Sequence, residues 1–276
     1  MSAVKEKEFH YTEEDFQWVK QRIHEQVGIN LNDSKREMVY SRLARRIRKL
    51  GYSSFSQYRS LLQRDNGELI EFVNAITTNV TSFFRENHHF EAMANTILPE
   101  LMEKNKASKS IKIWSAGCST GEEPYSIAMT LMENVSSDWK IKILATDLDT
   151  TVLEKGRQGI YPIANVEGIP KERLKKWFWR GKGNNQDKAR VNPVLQKNIE
   201  FRQLNLMGEW GIRDTFDIIF CRNVVIYFTK DTQRTLFERY ANQLAEGGYL
   251  FLGHSESLHG VSDKFKFLRQ TMHQKI

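Results

Sequence analysis

Two acidic residues, Asp147 and Asp149, close an apolar run, Ile141 to Thr146, of the kind that forms a buried strand. A carboxylate at the carboxyl end of such a strand can accept hydrogen bonds from both hydroxyls of a ribose. Earlier, the run Ile111 to Trp114 leads into Ser115-Ala-Gly117-Cys118-Ser-Thr-Gly121-Glu122-Glu123-Pro124. Its glycines permit close backbone approach to a ligand, and Pro124 suits the first turn of a helix. Plainer readings stand beside these. The glycine loop also makes an ordinary strand-to-helix turn, and either aspartate also serves as N-cap to the helical stretch beginning near Thr150. The pairing of carboxylate and glycine loop favours a ligand. The loop lacks the Gly-x-Gly-x-x-Gly spacing of a pyrophosphate cradle, so a nucleoside without a diphosphate fits better than a dinucleotide.

Two further strand-like runs end in polar groups. Ile199 to Leu204 is followed by Asn205-Leu206, and Phe216 to Cys221 by Arg222-Asn223. Amides there can read an adenine edge or an amino-acid end, and S-adenosylmethionine offers both. Upstream, Asn79-Val-Thr81-Ser-Phe83-Phe84-Arg85 sets two aromatics among groups able to bind a carboxylate, although a linker packing its aromatics into an interface explains the same residues. Gly253-His254-Ser255-Glu256-Ser257 lacks the second glycine of a nucleophile elbow. His254, Glu256 and His259 lack the spacings of zinc ligands, so neither a hydrolase nor a metal site is expected. His88-His89 is expected to cap or pack at the linker. Two cysteines, Cys118 and Cys221, are too few for a disulfide framework and are expected as reduced thiols on the pocket floor.

These residues need a scaffold. The first ~75 residues read as four helices, from Glu13, Asp33, Ser53 and Asn66 onward, each starting near Ser, Asp or Asn. From Ile111 short apolar runs alternate with helical stretches, which predicts a doubly wound α/β domain with a parallel sheet. Gly168 to Leu195 holds a turn-forming stretch between strand-like segments and is expected to be a small β insertion. With 276 residues, 40% of them apolar, the chain can bury a large core. Its N-terminal segment has no apolar stretch and no run approaches a membrane span, so a cytoplasmic protein without membrane insertion is expected. The net charge of +7 is concentrated: residues 35–64 contain nine Lys and Arg against one acid, Glu37. Within a helix there, Val39, Leu43, Ile47 and Leu50 share one face, and Arg42, Arg45, Arg46 and Lys49 the other. A solvated face would account for the stripe, and nucleic acid is disfavoured because no binding module or interleaved aromatics accompany it. Docking on an acidic protein surface is the reading preferred.

The segments Asn79 to Arg85, Trp114 to Ser126, Ala145-Thr-Asp-Leu-Asp149 and Phe220-Cys-Arg-Asn-Val-Val-Ile-Tyr-Phe228 resemble, in order, the signature segments of the CheR family. The resemblance covers nearly the whole chain. It implies a helical N-terminal domain over 1–78, a linker over 79–98 contributing to the cofactor pocket, and a Rossmann-like class I methyltransferase domain over 99–276. That domain would carry a small antiparallel β subdomain at about 168–195. By motif match, Asn79, Thr81, Arg85, Glu122 or Glu123, Asp147, Asn205, Leu206, Arg222 and Asn223 would surround S-adenosyl-L-methionine and its product S-adenosyl-L-homocysteine. The implied activity is formation of methyl esters on glutamates of methyl-accepting chemotaxis receptors, by a cytoplasmic enzyme recruited to membrane receptor arrays. A sulfonium methyl is already activated and a glutamate, with a pKa of about 4.3, is ionised at neutral pH, so orientation matters more than a general base. Arg85 and Tyr227 are the candidates to orient the carboxylate; a buried aromatic is the alternative for Tyr227. Some members grip a C-terminal receptor peptide with the β subdomain; Trp177, Phe178, Trp179 and Arg190 suit this, but Asp187 stands where such members tend to have glycine. A methyltransferase acting on another substrate and a non-catalytic cofactor-binding adaptor are the rival readings.

Overall fold

The computed structural model describes residues 7–276. The chain forms two compact units: one runs up to Thr78 and takes in Tyr227–Thr229, and the other comprises Asn79–Ile226 and Lys230–Ile276.

The first unit is helical. Helix α1 (Glu13–Val27) starts at a capping box, in which Thr12 accepts from the Asp15 amide and Asp15 accepts from the Thr12 amide, and it stops at Gly28 in the left-handed region. It buries Phe16, Val19, Ile23 and Val27, the stripe its 3.6-residue period brings to one face. Helices α2 (Arg36–Lys49), α3 (Phe55–Leu62) and α4 (Asn66–Ile76) follow, the last two capped by Ser54 and Asp65. The returning segment joins this unit through its main chain: the Asn30 amide donates to the Tyr227 carbonyl at 2.8 Å, and Ile29 bridges Phe228.

The second unit opens with α5 (His88–Ala92), a π-helical turn (Met93–Ile97) and α6 (Leu98–Lys104). Next come β1 (Ser110–Ala116), α7 (Glu122–Asn134), β2 (Lys140–Asp147), α8 (Thr150–Gln158), β3 (Ile160–Pro162), α9 (Ile163–Val166), α10 (Lys171–Trp177), β4 (Phe178–Arg180) and β5 (Lys188–Val191). The chain ends with α11 (Pro193–Gln196), β6 (Ile199–Gln203), β7 (Phe216–Cys221), α12 (Lys230–Gln243), β8 (Leu244–Leu252), β9 (Phe265–Arg269) and β10 (Met272–Lys275). The large sheet has the order β6-β2-β1-β7-β8-β10-β9; its first five strands are parallel and the last two antiparallel. From β1 the chain builds outward to β2 and β6, then returns to β7 on the other side. The carboxyl ends of β1 and β7 therefore flank the crevice where such sheets bind ligands. All six residues of β7 are buried, as a central parallel strand requires.

A second sheet has the order β3-β5-β4 and is antiparallel. It begins at Ile160, before the expected start of the insertion near residue 168. Strand β3 has only three residues and ends in a proline, too short a run for alternation to mark it.

Candidate functional site

The two aspartates at the end of β2 turn to different partners. Asp149 is the N-cap of α8, accepting from the Thr151 and Val152 amides at 2.8 and 3.3 Å. Asp147 reaches across instead: its carboxylate accepts the Ser119 amide at 2.8 Å and the Asp149 amide at 3.0 Å. Burial pushes its carboxyl up to about 6, against the pull of those two amides. The glycine loop turns directly beneath, with the Gly117 and Cys118 amides both donating to the Thr146 carbonyl at 2.8 Å. Gly117 has φ 93°, and a Cβ there would lie 2.4 Å from Val224 Cγ2. The loops after β1 and β7 thus touch, and only glycine permits it.

The Asn79 to Arg85 stretch is tied to this end of the sheet. Asn79 donates to Asp149 at 2.9 Å and accepts the Ser119 hydroxyl on its carbonyl at 3.1 Å, and the Phe84 amide donates to Ser126 Oγ at 3.0 Å. Phe83 is buried edge-on against Tyr161 and Phe178. Thr81 is half-buried in the same stretch. Arg85 donates to the Val80 carbonyl, and its own carbonyl accepts from Arg222.

Arg222 centres a buried charge cluster. Its Nε lies 3.4 Å from Glu123 and 3.9 Å from Glu86, yet neither Nε nor Nη1 has a hydrogen-bond partner among the described residues. A guanidinium only 2% exposed with unspent donors is suited to a polar or anionic ligand group. The adjacent glutamates diverge. Glu123 accepts from Ser115 Oγ at 2.7 Å and faces Arg222, whereas Glu122 accepts from Thr120 Oγ1 at 2.6 Å. Burial raises both above the usual carboxylate value. Burial also pushes Glu86 up, but Arg222 and His254 outweigh it and hold Glu86 below its ordinary value. Cys118 and Cys221 are free, buried thiols, and burial raises both.

The β6 end joins the same rim, because the Leu204 amide donates to the Asp147 carbonyl at 2.9 Å. Asn205 then accepts the Met207 amide at 2.9 Å, and the Leu206 carbonyl accepts from Arg239 at 2.7 Å and from Trp210. Asn223 follows β7 in the left-handed region at φ 59°. Tyr227 is half-buried and belongs by its contacts to the helical unit.

The expected cationic stripe of α2 requires correction. Arg42 and Arg46 are not free surface charges: Arg42 donates to the carbonyls of Ile76 and Thr77 at 2.6 and 2.7 Å, and Arg46 grips Glu68 bidentately at 2.8 and 2.5 Å and Glu71 at 2.9 Å. Helix α4 lies alongside and takes up those charges. Arg45 and Lys49 are exposed.

Sequence reasoning missed Glu256, which it weighed only as a metal ligand. Its buried carboxylate accepts the amides of Asn223, Val224, Ile226 and Gly253. A lone acid after a strand is the only signal in sequence, and it does not reveal which amides converge on it.

With this geometry in hand, comparison with known proteins finds two matching family models: the CheR methyltransferase all-alpha domain over residues 14–77, and the CheR methyltransferase SAM-binding domain over residues 79–274. The chain is 48% identical over 268 residues to chemotaxis protein methyltransferase 2 of Pseudomonas aeruginosa, covering 96% of this chain and 94% of that protein. It is 43% identical to a probable chemotaxis protein methyltransferase of Rhizobium etli, over 86% of this chain and 90% of the relative. Against the chemotaxis protein methyltransferase of Escherichia coli it is 40% identical, over 94% and 89%.

Proposed function

Since the chain belongs to the CheR methyltransferase family and is an S-adenosylmethionine-dependent methyltransferase, we propose that it esterifies glutamate side chains of chemotaxis receptors. The observation that carries this reading is the continuity of the likeness across both domains. A shared cofactor fold alone would leave the substrate open, whereas this likeness runs through the helical domain as well. When bound, the cofactor supplies an activated methyl group for in-line displacement by an oxygen nucleophile. The chain's residues then have to bind and orient. Asp147 would accept the ribose hydroxyls; Asn79, Thr81, Asn205, Leu206 and Asn223 would line the pocket; Arg222, with Glu123 beside it, would meet the polar amino-acid end. Arg85 would orient the incoming carboxylate, which is already ionised and needs no base.

On α2, Arg45 and Lys49 supply the cationic surface for an acidic receptor bundle, with Arg42 and Arg46 fixing the helix that carries them. Such steering raises the encounter rate and weakens with salt. Binding to receptors would recruit the protein to membrane arrays; no helix of the described residues is long and apolar enough to cross a membrane itself. The test is labelled methyl transfer from S-adenosylmethionine to receptor-containing membranes, with tRNA as the control acceptor. Base-labile label in the receptor supports the reading. Label in tRNA, or cofactor binding without turnover on any receptor, rejects it.

A further inference from the structure

Glu256 lies just beyond β8 and is 5% exposed. One of its oxygens accepts the Asn223 and Gly253 amides at 2.8 and 2.6 Å, and the other accepts the Val224 and Ile226 amides at 2.8 and 3.3 Å. Burying a carboxylate is costly unless its lone pairs are met. Here four main-chain donors meet them, and those donors cannot leave without the chain moving. The surroundings tighten the constraint. Asn223 holds φ 59°, a left-handed conformation that needs local support in a residue with a side chain. A Cβ on Gly253 would lie 2.4 Å from Asn223 Nδ2 and 2.8 Å from its backbone nitrogen.

We propose that Glu256 is a positioning residue for methyl transfer: by gathering these four amides it fixes the loop after β7 and presents Arg222 and Asn223 to the cofactor without touching it. This rests on the reading that the loop forms part of the cofactor pocket. A glutamine would leave one acceptor oxygen and turn an NH2 toward two amide donors, so Glu256→Gln attacks the arrangement with little change of volume. An aspartate is one methylene shorter and cannot span the same four amides.

The experiment is calorimetric binding of S-adenosylhomocysteine, well below the melting transition, to the full chain and to Glu256→Gln, Asn223→Ala, Arg222→Ala and the Glu256→Gln/Asn223→Ala double variant. Losing a buried acceptor should weaken binding roughly ten- to hundredfold for Glu256→Gln. The double variant should lose little more than the stronger single one, since both act through one loop. A folded Glu256→Gln with a lowered Tm but parental affinity, beside a weakened Asn223→Ala or Arg222→Ala, would make the carboxylate merely stabilising and overturn the proposal. If neither Asn223→Ala nor Arg222→Ala changes affinity, the loop's place in the pocket is wrong and the proposal falls with it. Should Glu256→Gln fail to fold, hydrogen exchange on the parent decides. The amides of Asn223, Val224, Ile226 and Gly253 should be protected like β7 before cofactor is added, and exchange at open-loop rates would overturn the proposal.

Discussion

Asp147 is under opposed demands. Ribose hydroxyls are best held by an ionised carboxylate, yet burial lifts this carboxyl to about 6 while the Ser119 and Asp149 amides pull it back. Its native pKa thus exceeds the usual aspartate value of about 3.9, so the stability it contributes is fully present below about pH 4 and is lost as pH rises through about 6. Cofactor binding should show the opposite trend. Affinity should be level above about pH 6 and fall by up to tenfold per pH unit below it, because binding must expel the proton. Calorimetry in two buffers of different ionisation enthalpy should detect proton release near that pH, and a pH-independent Kd would remove Asp147 from the ribose. Asp147→Ala should abolish the pH dependence and cost about 1.5–3 kcal/mol, or roughly ten- to hundredfold in affinity. The neighbouring glutamates show what sequence could not decide. Glu122 and Glu123 are consecutive on one helix, so they point about 100° apart, and only the docking of α7 determines which meets Arg222. Glu123→Gln should therefore weaken cofactor binding more than Glu122→Gln; equal affinities would detach Glu123 from the pocket.

Helix α2 was legible as a helix, and Val39, Leu43 and Ile47 of its expected apolar face are fully buried, whereas Leu50, which follows the last helical residue, is exposed. The large sheet was legible too, since β1, β2, β6 and β7 coincide with the apolar runs that mark them. The charged face of α2 was not legible, because its fate depends on a helix some twenty residues later in the chain. Arg46 and Glu68 form a shielded pair to which the Tyr58 hydroxyl also donates, at 2.8 Å. Breaking a buried pair leaves an uncompensated charge and costs about 3–5 kcal/mol. Arg46→Glu should accordingly unfold or strongly destabilise the helical unit, and its loss of activity would say nothing about docking. The informative variant is Arg45→Glu with Lys49→Glu. Its unfolding free energy should stay within about 1 kcal/mol of the parent's, as for two exposed substitutions. Its KM for receptor should rise, most of all at low ionic strength, with cofactor affinity intact. Parental methylation rates at low salt would end the docking assignment.

At the scale of the whole molecule, two surfaces carried by different units are candidates for one receptor: α2, and the sheet of β3, β5 and β4. The outer side of that sheet sets Ile160, Arg190 and Trp179 in register, with Ile160 44% and Trp179 54% exposed. Strand β4 is an edge, so a short peptide could extend the sheet through its main chain while aromatic and acidic side chains meet Trp179 and Arg190. The sequence raised Asp187 as an obstacle, since peptide-gripping relatives tend to have glycine there. Here the requirement for glycine falls elsewhere: a Cβ at Gly181 would lie 2.0 Å from the Asn185 carbonyl oxygen, and Gly183 holds φ 57°, while Asp187 is not among the positive-φ residues. The hairpin is therefore built without glycine at that position, and Asp187 does not close the edge by backbone strain. A second contact on a flexible receptor tail would act through effective concentration, without strengthening the first contact. Receptors bearing a terminal pentapeptide with two aromatics around an acidic residue should thus show a lower KM than tail-less ones, with kcat unchanged. The free pentapeptide should compete away only that advantage, and Arg190→Glu should abolish it while leaving tail-less receptors methylated at the parental rate. Equal KM values with and without the tail, and no heat on titrating the pentapeptide into protein that still binds S-adenosylhomocysteine, would leave this sheet an ordinary hairpin and α2 the sole docking surface.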